Sequence, residues 1–222
     1  MSVSVQEEAA ERLELNPGRV RRLVSQGLLE GRKVGGRWLV NEAAISERLD
    51  ASARPGRPLS PRSAWGLLWA ADSRPMPWLA PRERSRARQR ARLWPYDEWS
   101  WPCRHRAVAY KLRAHPSMLQ PLLDDPRVVR GGASVRQLAV DLIAVGDAEL
   151  YVREADAPNM INEYSLIPSQ QPNVVLRVPP GDLWLFDNGE APWPVVVVDL
   201  LDARDDRSAR AANDLARRMR AR

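Results

Sequence analysis

The sequence predicts a mixed fold, α+β with an α/β segment, on three observations. Within the first fifty residues, helix-cap residues and glycine turns recur at short intervals. The stretch that follows is rich in Arg, Pro and Trp and carries helical but no strand periodicity. From Arg127 onward, short apolar runs of strand length alternate with helical segments. The resulting layout is an N-terminal domain over 1–50, a linker over 51–62, a helical Arg/Trp-rich region over 63–126 and an α/β domain over 127–222.

In the first part, Ser4 followed by Glu7 is a capping box, and Ala9, Ala10 and Leu13 give one apolar face to a helix from about Val5 to Leu13. After the break at Glu14-Leu15-Asn16, Asn16 is a good N-cap and Pro17 suits the first helical position. Val20, Leu23 and Val24 fall at helical spacing, and Gly27 is the expected stop. Leu28–Val34 and Arg37–Val40 are strand-like around Gly35-Gly36, a pair suited to the positive φ angles of a two-residue hairpin. Asn41 then caps a helix from Glu42 to about Asp50, with Ala44, Ile45 and Leu49 facing inward. Helix, turn, helix, hairpin, helix is the order of a winged helix-turn-helix.

Residues 51–62 hold three Pro, a Gly and no apolar periodicity, which is a semi-stiff linker. Ser60-Pro61 opens a helix carrying Trp65, Leu68 and Trp69. In 81–93 every even position is arginine: Arg82, Arg84, Arg86, Arg88, Arg90 and Arg92. On a helix these form two stripes, with Ala87 and Ala91 as a narrow apolar seam. A Trp/Pro-rich stretch, Trp94 to Trp101, leads to a helix from Cys103 to about Ala114. Strands are expected at Val128-Val129, Glu149–Val152, Asn173–Val178, Trp184–Phe186 and Val195–Asp199. Helices are expected at Ser134–Ile143, Asp156–Tyr164 and Asp206–Arg222.

Composition narrows the function. With 222 residues, 44% hydrophobic and 28% charged, the chain has the balance of a soluble globular protein. No apolar run approaches the ~20 residues of a membrane span. Residues 1–15 lack the pattern of a secretory signal, and one cysteine permits no internal disulfide, so a cytoplasmic location is expected. One Cys and two His leave no metal site of those types, and no cofactor motif is present. No Gly-x-Ser-x-Gly elbow appears, and no enzymatic activity is expected. The alternative from another class is a Mg-dependent nucleic-acid-processing protein built on Asp182, Asp187, Asp199 and Asp202. Against it, residues 127–222 contain no Lys, and Asp199, Asp205 and Asp206 read more simply as strand-end and cap residues.

Charge points to a polyanion. The net charge of +6 divides into zero over 1–50, +8 over 51–93, +2 over 94–132 and −4 over 133–222. Within 19–37 there are six basic groups and one acid, Glu30. Arg19, Arg21, Arg22 and Ser25 occupy second-helix positions that the core does not need. Arg19 and Arg22 share a face and are the better candidates for reading bases, since Arg pairs bidentately with guanine. Arg32, Lys33 and Arg37 on the hairpin suit phosphate contacts. The Arg82–Arg92 helix suits either phosphate tracking or docking onto the acidic last segment. Trp65 and Trp69, at helical spacing, read as core rather than as base-stacking residues.

Val5-Gln6-Glu7-Glu8-Ala9-Ala10, with Gly27-Leu28-Leu29 and Val34-Gly35-Gly36-Arg37-Trp38, resembles the excisionase/MerR-type winged-helix DNA-binding domain over residues 3–49. The resemblance implies double-stranded DNA as partner, with the second helix in a major groove and the wing on flanking backbone. Arg19 departs from the small hydroxyl residue usual there. The long coiled coil of a full MerR regulator is missing, so self-association would come from the α/β domain or from adjacent binding on DNA. An excisionase-like architectural factor is a further alternative.

Four phrases resemble the AbiEi family of antitoxins. They are Arg57-Pro58-Leu59-Ser60-Pro61-Arg62-Ser63-Ala64-Trp65, Asp125-Pro126-Arg127-Val128-Val129, Asn173-Val174-Val175-Leu176-Arg177-Val178, and Val198-Asp199-Leu200-Leu201 through Asp206-Arg207-Ser208-Ala209-Arg210. That resemblance implies an antitoxin that represses its own operon, with a nucleotidyltransferase-type toxin as partner, and supplies no catalytic residues.

Overall fold

A computed structural model of the chain describes residues 3–13, 15–53, 57–136, 146–187 and 189–220. It contains two compact units, Met1–Gly56 and Arg57–Arg222.

The first unit runs β1 (Val3–Val5), α1 (Gln6–Arg12), α2 (Pro17–Ser25), β2 (Gly31–Val34), β3 (Arg37–Asn41) and α3 (Glu42–Ala53). The local signals explain the boundaries. Asn16 Oδ1 accepts the Arg19 N–H at 2.8 Å and Pro17 opens α2. At the other end Leu28 N–H bonds to Leu23 O and Gly27 N–H to Val24 O, with Gly27 at φ 69°, which is a Schellman stop. Gly35 and Gly36, at φ 56° and 83°, make the hairpin turn. Asn41 Oδ1 accepts the Ala43 N–H at the start of α3, which runs three residues past the expected end. The core joins Ala9, Ala10, Val20, Leu23, Val24, Leu29, Val40 and Ile45. Two further details differ from expectation. β1, unforeseen, pairs antiparallel with β3 to complete a three-stranded sheet in the order β1-β3-β2, and Leu28–Glu30 precede the strand. The Ser4 capping side chain lies outside the described residues.

The second unit adds α4 (Pro61–Ala71), α5 (Pro81–Leu93), α6 (Ser100–Cys103), β4 (Val108–Arg113), α7 (Pro116–Leu123), β5 (Val128–Arg130), β6 (Ala148–Val152), α8 (Ala157–Glu163), β7 (Ile167–Pro168), β8 (Val174–Val178), α9 (Trp193–Asp202) and α10 (Asp206–Arg220). The sheet order is β5-β6-β8-β4-β7, with β6 and β8 parallel and the other pairs antiparallel. Alternation along the strands sends Leu150, Val152, Val174, Leu176 and Val178 to one face, where α7 and α8 cover them. Tyr151 and Val129 face the opposite layer, built from α4, α5, α6, α9 and α10.

Several elements differ from the sequence-based expectation. The apolar run Val195–Asp199 is not a strand but the middle of helix α9. It is buried between sheet and helices on nearly every side, so no helical period shows in its sequence. The helix expected from Cys103 to Ala114 stops at Cys103. Val108–Arg113 instead forms β4, an inner strand paired in full register with β8. Trp184–Phe186 is irregular chain after a 3-10 turn at Gly181–Leu183, held by Arg153 over the Trp184 ring at 4.6 Å. Most of the helix expected at Ser134–Ile143 lies outside the described residues. The Arg/Trp-rich helices and the α/β segment share one core, and β4 is drawn from the former into the sheet of the latter. The linker's second half also belongs to this unit, since Leu59 N–H bonds to Pro102 O at 3.0 Å.

Candidate nucleic-acid interface

On α2 the buried positions Val20, Leu23 and Val24 fix which side chains point outward. At 100° per residue, Arg22, Gly18 and Ser25 stand opposite the core, with Arg19 and Arg21 on the two flanks. All four candidates (Arg19, Arg21, Arg22 and Ser25) are exposed. The Ser25 hydroxyl donates to Arg22 O at 2.9 Å, so its proton is spent on the helix and only its lone pairs face outward.

The wing divides its three cations between two faces. Cross-strand partners are Arg32 with Leu39, Lys33 with Trp38 and Val34 with Arg37. Arg32 and Arg37 therefore share the outer face, whereas Lys33 lies on the face of Trp38 and Val40, its Nζ 6.0 Å from the Trp38 ring centre. Among the described residues, none of Arg19, Arg21, Arg22, Arg32, Lys33 and Arg37 forms an ion pair. Glu30, the acid among them, accepts from Asn41 Nδ2 at 3.0 Å. The candidate surface is thus a set of cations with no ion pair among the described residues, on a capped helix and a glycine-turned hairpin. No sequence signal marks Gly31 as part of this surface. A Cβ there would lie 2.6 Å from Leu39 O and 3.0 Å from Val24 Cγ1, so the wing rests directly on α2.

The carboxylates considered for metal chemistry are arranged differently. Asp199 is fully buried on α9 rather than exposed at a strand end. Its Oδ1 accepts from Arg106 Nη2 at 2.5 Å and from the Tyr151 hydroxyl at 2.7 Å, and its Oδ2 accepts from Gly132 N–H at 3.1 Å. Asp202 accepts from the same Arg106 nitrogen and from the Ser100 hydroxyl, each at 2.7 Å. Arg177 completes the cluster, 3.0 Å from Glu149 and 3.5 Å from Asp199. Burial works against the charge of Arg106, yet Asp202, Tyr151 and Asp199 hold its pKa well above the ordinary value. Burial also pushes Glu149 up to about 7 despite Arg177 beside it. Asp182 and Asp187 pair with Arg62 and Arg74. No group of three or more His, Cys, Asp or Glu among the described residues is placed to hold a metal ion. Cys103 is buried and its thiol pushed up to about 12. Trp65, Trp69 and Trp99 are core residues.

A family model described as a helix-turn-helix domain matches residues 6–52. No curated protein and no solved structure matches the chain. The chain therefore carries an N-terminal helix-turn-helix domain, the kind of domain by which regulators bind DNA. The match stops at residue 52, so the resemblance of the remainder to AbiEi antitoxins gains no support from it. Among the described residues no helix is long and apolar enough to cross a membrane.

Proposed function

We propose that the protein is a sequence-specific, DNA-binding transcriptional regulator acting in the cytoplasm without catalysis of its own. The observation that carries this reading is the set of six cations on α2 and the wing of a helix-turn-helix domain that form no ion pair among the described residues. In it, Arg22 and Arg19 enter the major groove, where one bidentate Arg–guanine pair is worth about 1–3 kcal/mol of discrimination. Arg21 and Ser25 border the groove. Arg32 and Arg37 hold phosphates from the wing's outer face, and Lys33 reaches one from the opposite face, where its Nζ lies 6.0 Å from the Trp38 ring centre.

The finer proposal follows the AbiEi resemblance of residues 57–212. The protein would be the antitoxin and autorepressor of a toxin–antitoxin operon, its second unit engaging a nucleotidyltransferase-type toxin. The test is a gel shift with the DNA upstream of its own reading frame, in EDTA, followed by in vitro transcription from that promoter. Retarded DNA and repressed transcription are expected. Binding and bending without repression would point to an architectural factor, and Mg-dependent cleavage to a nuclease.

A further inference from the structure

We infer that the arginine face of α5, continued by Arg217 and Arg220 in the last turn of α10, is a second polyanion-binding surface whose ligand is the phosphate backbone of duplex DNA. The inference rests on the DNA-binding reading of the N-terminal unit and adds a contact that unit does not provide.

Helix α5 packs through buried Ala87 and half-buried Ala91 against α4, where Gly66 permits close approach. A Cβ on Gly66 would lie 2.5 Å from Leu79 Cδ1 and 3.5 Å from Ala87 Cβ. The seam leaves Arg82, Arg86 and Arg90 on one flank and Arg84, Arg88 and Arg92 on the other, with Ser85 and Gln89 between them. Four of the six are exposed; Arg84 and Arg90 are half-buried, the latter over the Trp94 ring at 5.2 Å. The helix's own acid, Glu83, is turned back to cap the Ala80 N–H at 2.8 Å.

Folding accounts for Arg90, stacked on Trp94, and for Arg92 at the negative end of the helix dipole, but not for the other four. Arginines four apart in each row repel one another, and Arg82 and Arg84 stand at the positive end of the helix dipole. Seven acids of the unit are committed elsewhere. Asp199 and Asp202 are held by Arg106 and Arg177, Asp125 and Glu163 by Arg127, Asp124 by Arg130, and Asp72 and Asp187 by Arg74. Among the described residues no carboxylate lies within ion-pair distance of an α5 arginine, so docking onto the acidic segment has no ion pair to carry it.

Helix α10 extends the surface. Arg220 Nη2 donates to Ala91 O at 3.0 Å, and its guanidinium lies 5.3 Å from the Tyr96 ring and 5.8 Å from that of Trp99. This fixes the last turn of α10 beside the end of α5, with exposed Arg217 one turn earlier. Two rows of cations on opposite flanks of a helix match a ligand with two lines of charge. A helix about 10–12 Å across meets phosphates on both sides of a groove about 12 Å wide. A single strand calls for free aromatic stacking platforms; 81–93 contains no aromatic residue, and the bordering rings of Trp94 and Tyr96 are half-buried with Arg90 and Arg220 over them.

The test uses the full-length protein and a short random-sequence duplex, with affinity followed against salt concentration. The variant R82Q/R86Q/R88Q/R92Q is expected to flatten the log–log slope by about three to four units, at roughly 0.9 per phosphate contact, and to weaken binding at least about tenfold. Its melting temperature should stay within a degree or two of the parent. R32Q/R37Q should show its own, separate loss. An unchanged slope in the quadruple variant, with the wing variant still weakened, overturns the α5 surface and leaves the N-terminal reading intact. Wild-type protein that binds no duplex at low salt defeats both. Loss confined to single-stranded DNA overturns the duplex assignment.

Discussion

Gly31 lies flush against Val24: a Cβ on the first residue of the wing would come 3.0 Å from Val24 Cγ1 on the buried face of α2. The same Cβ would come 2.6 Å from Leu39 O, a backbone atom that cannot rotate away. The relative position of helix and wing is therefore set by the lack of a side chain. Gly31→Ala is expected to destabilise the N-terminal unit by about 1–3 kcal/mol, the usual cost of overpacking. It should also weaken DNA binding without removing a contact. Thermal unfolding and duplex affinity, measured on one preparation, check both effects.

Arg22 stands opposite the core of α2, whereas Arg21 sits on a flank. Arg22→Ala should cost about 1–3 kcal/mol of specific affinity and relax sequence preference, with little change in binding to scrambled duplex. Competition titrations with specific and scrambled DNA measure this. Equal losses on both would make Arg22 a phosphate contact instead.

On the wing, Arg32 and Arg37 share the outer face and Lys33 does not. Replacing both arginines by Gln should flatten the salt dependence by roughly one unit per residue, on every sequence. Lys33→Gln should change it less. A larger effect from Lys33 would place the DNA on the Trp38 side.

The buried cluster makes its own predictions. Arg106→Met leaves Asp199 buried without its main counter-charge and should cost about 3–5 kcal/mol in urea unfolding. Arg106→Met with Asp199→Leu should recover part of that loss.

Glu149, whose pKa rises from 4.5 unfolded to about 7 folded, binds its proton more tightly in the native state. Its contribution is therefore full below pH 4.5 and is lost as pH rises towards 7. Between those values wild-type stability should fall with pH by more than that of Glu149→Gln, as urea unfolding across the range would register. Parallel slopes would remove Glu149 from the pH dependence.

What could be read from the chain alone follows from the range of the interactions involved. The Asn16-Pro17 start, the Gly27 stop, the Gly35-Gly36 turn and the Asn41 cap act over a few residues, so the helix starts and turns of the N-terminal unit are legible in the sequence, whereas β1, which depends on pairing with distant β3, is not. The second unit depends on distant partners. β4 became a strand through β8, more than sixty residues later, and Val195–Val198 belong to a helix because sheet and helices enclose them. Arg106 gave no local sign of burial; its partners come from β6 and α9. At the interface, exposure of the arginines could be inferred from helical phase. The separation of Lys33 from Arg32 and Arg37 needed the hairpin register.

Whether α2 reads DNA sequence is decided by selecting ligands from a random duplex library in EDTA, with wild type and R19A/R22A in parallel. Wild type is expected to enrich one motif, with guanines at the positions facing Arg19 and Arg22, and the double variant to lose it while retaining weak, salt-sensitive binding. Enrichment of no motif by wild type, or of the same motif by both proteins, would contradict the account.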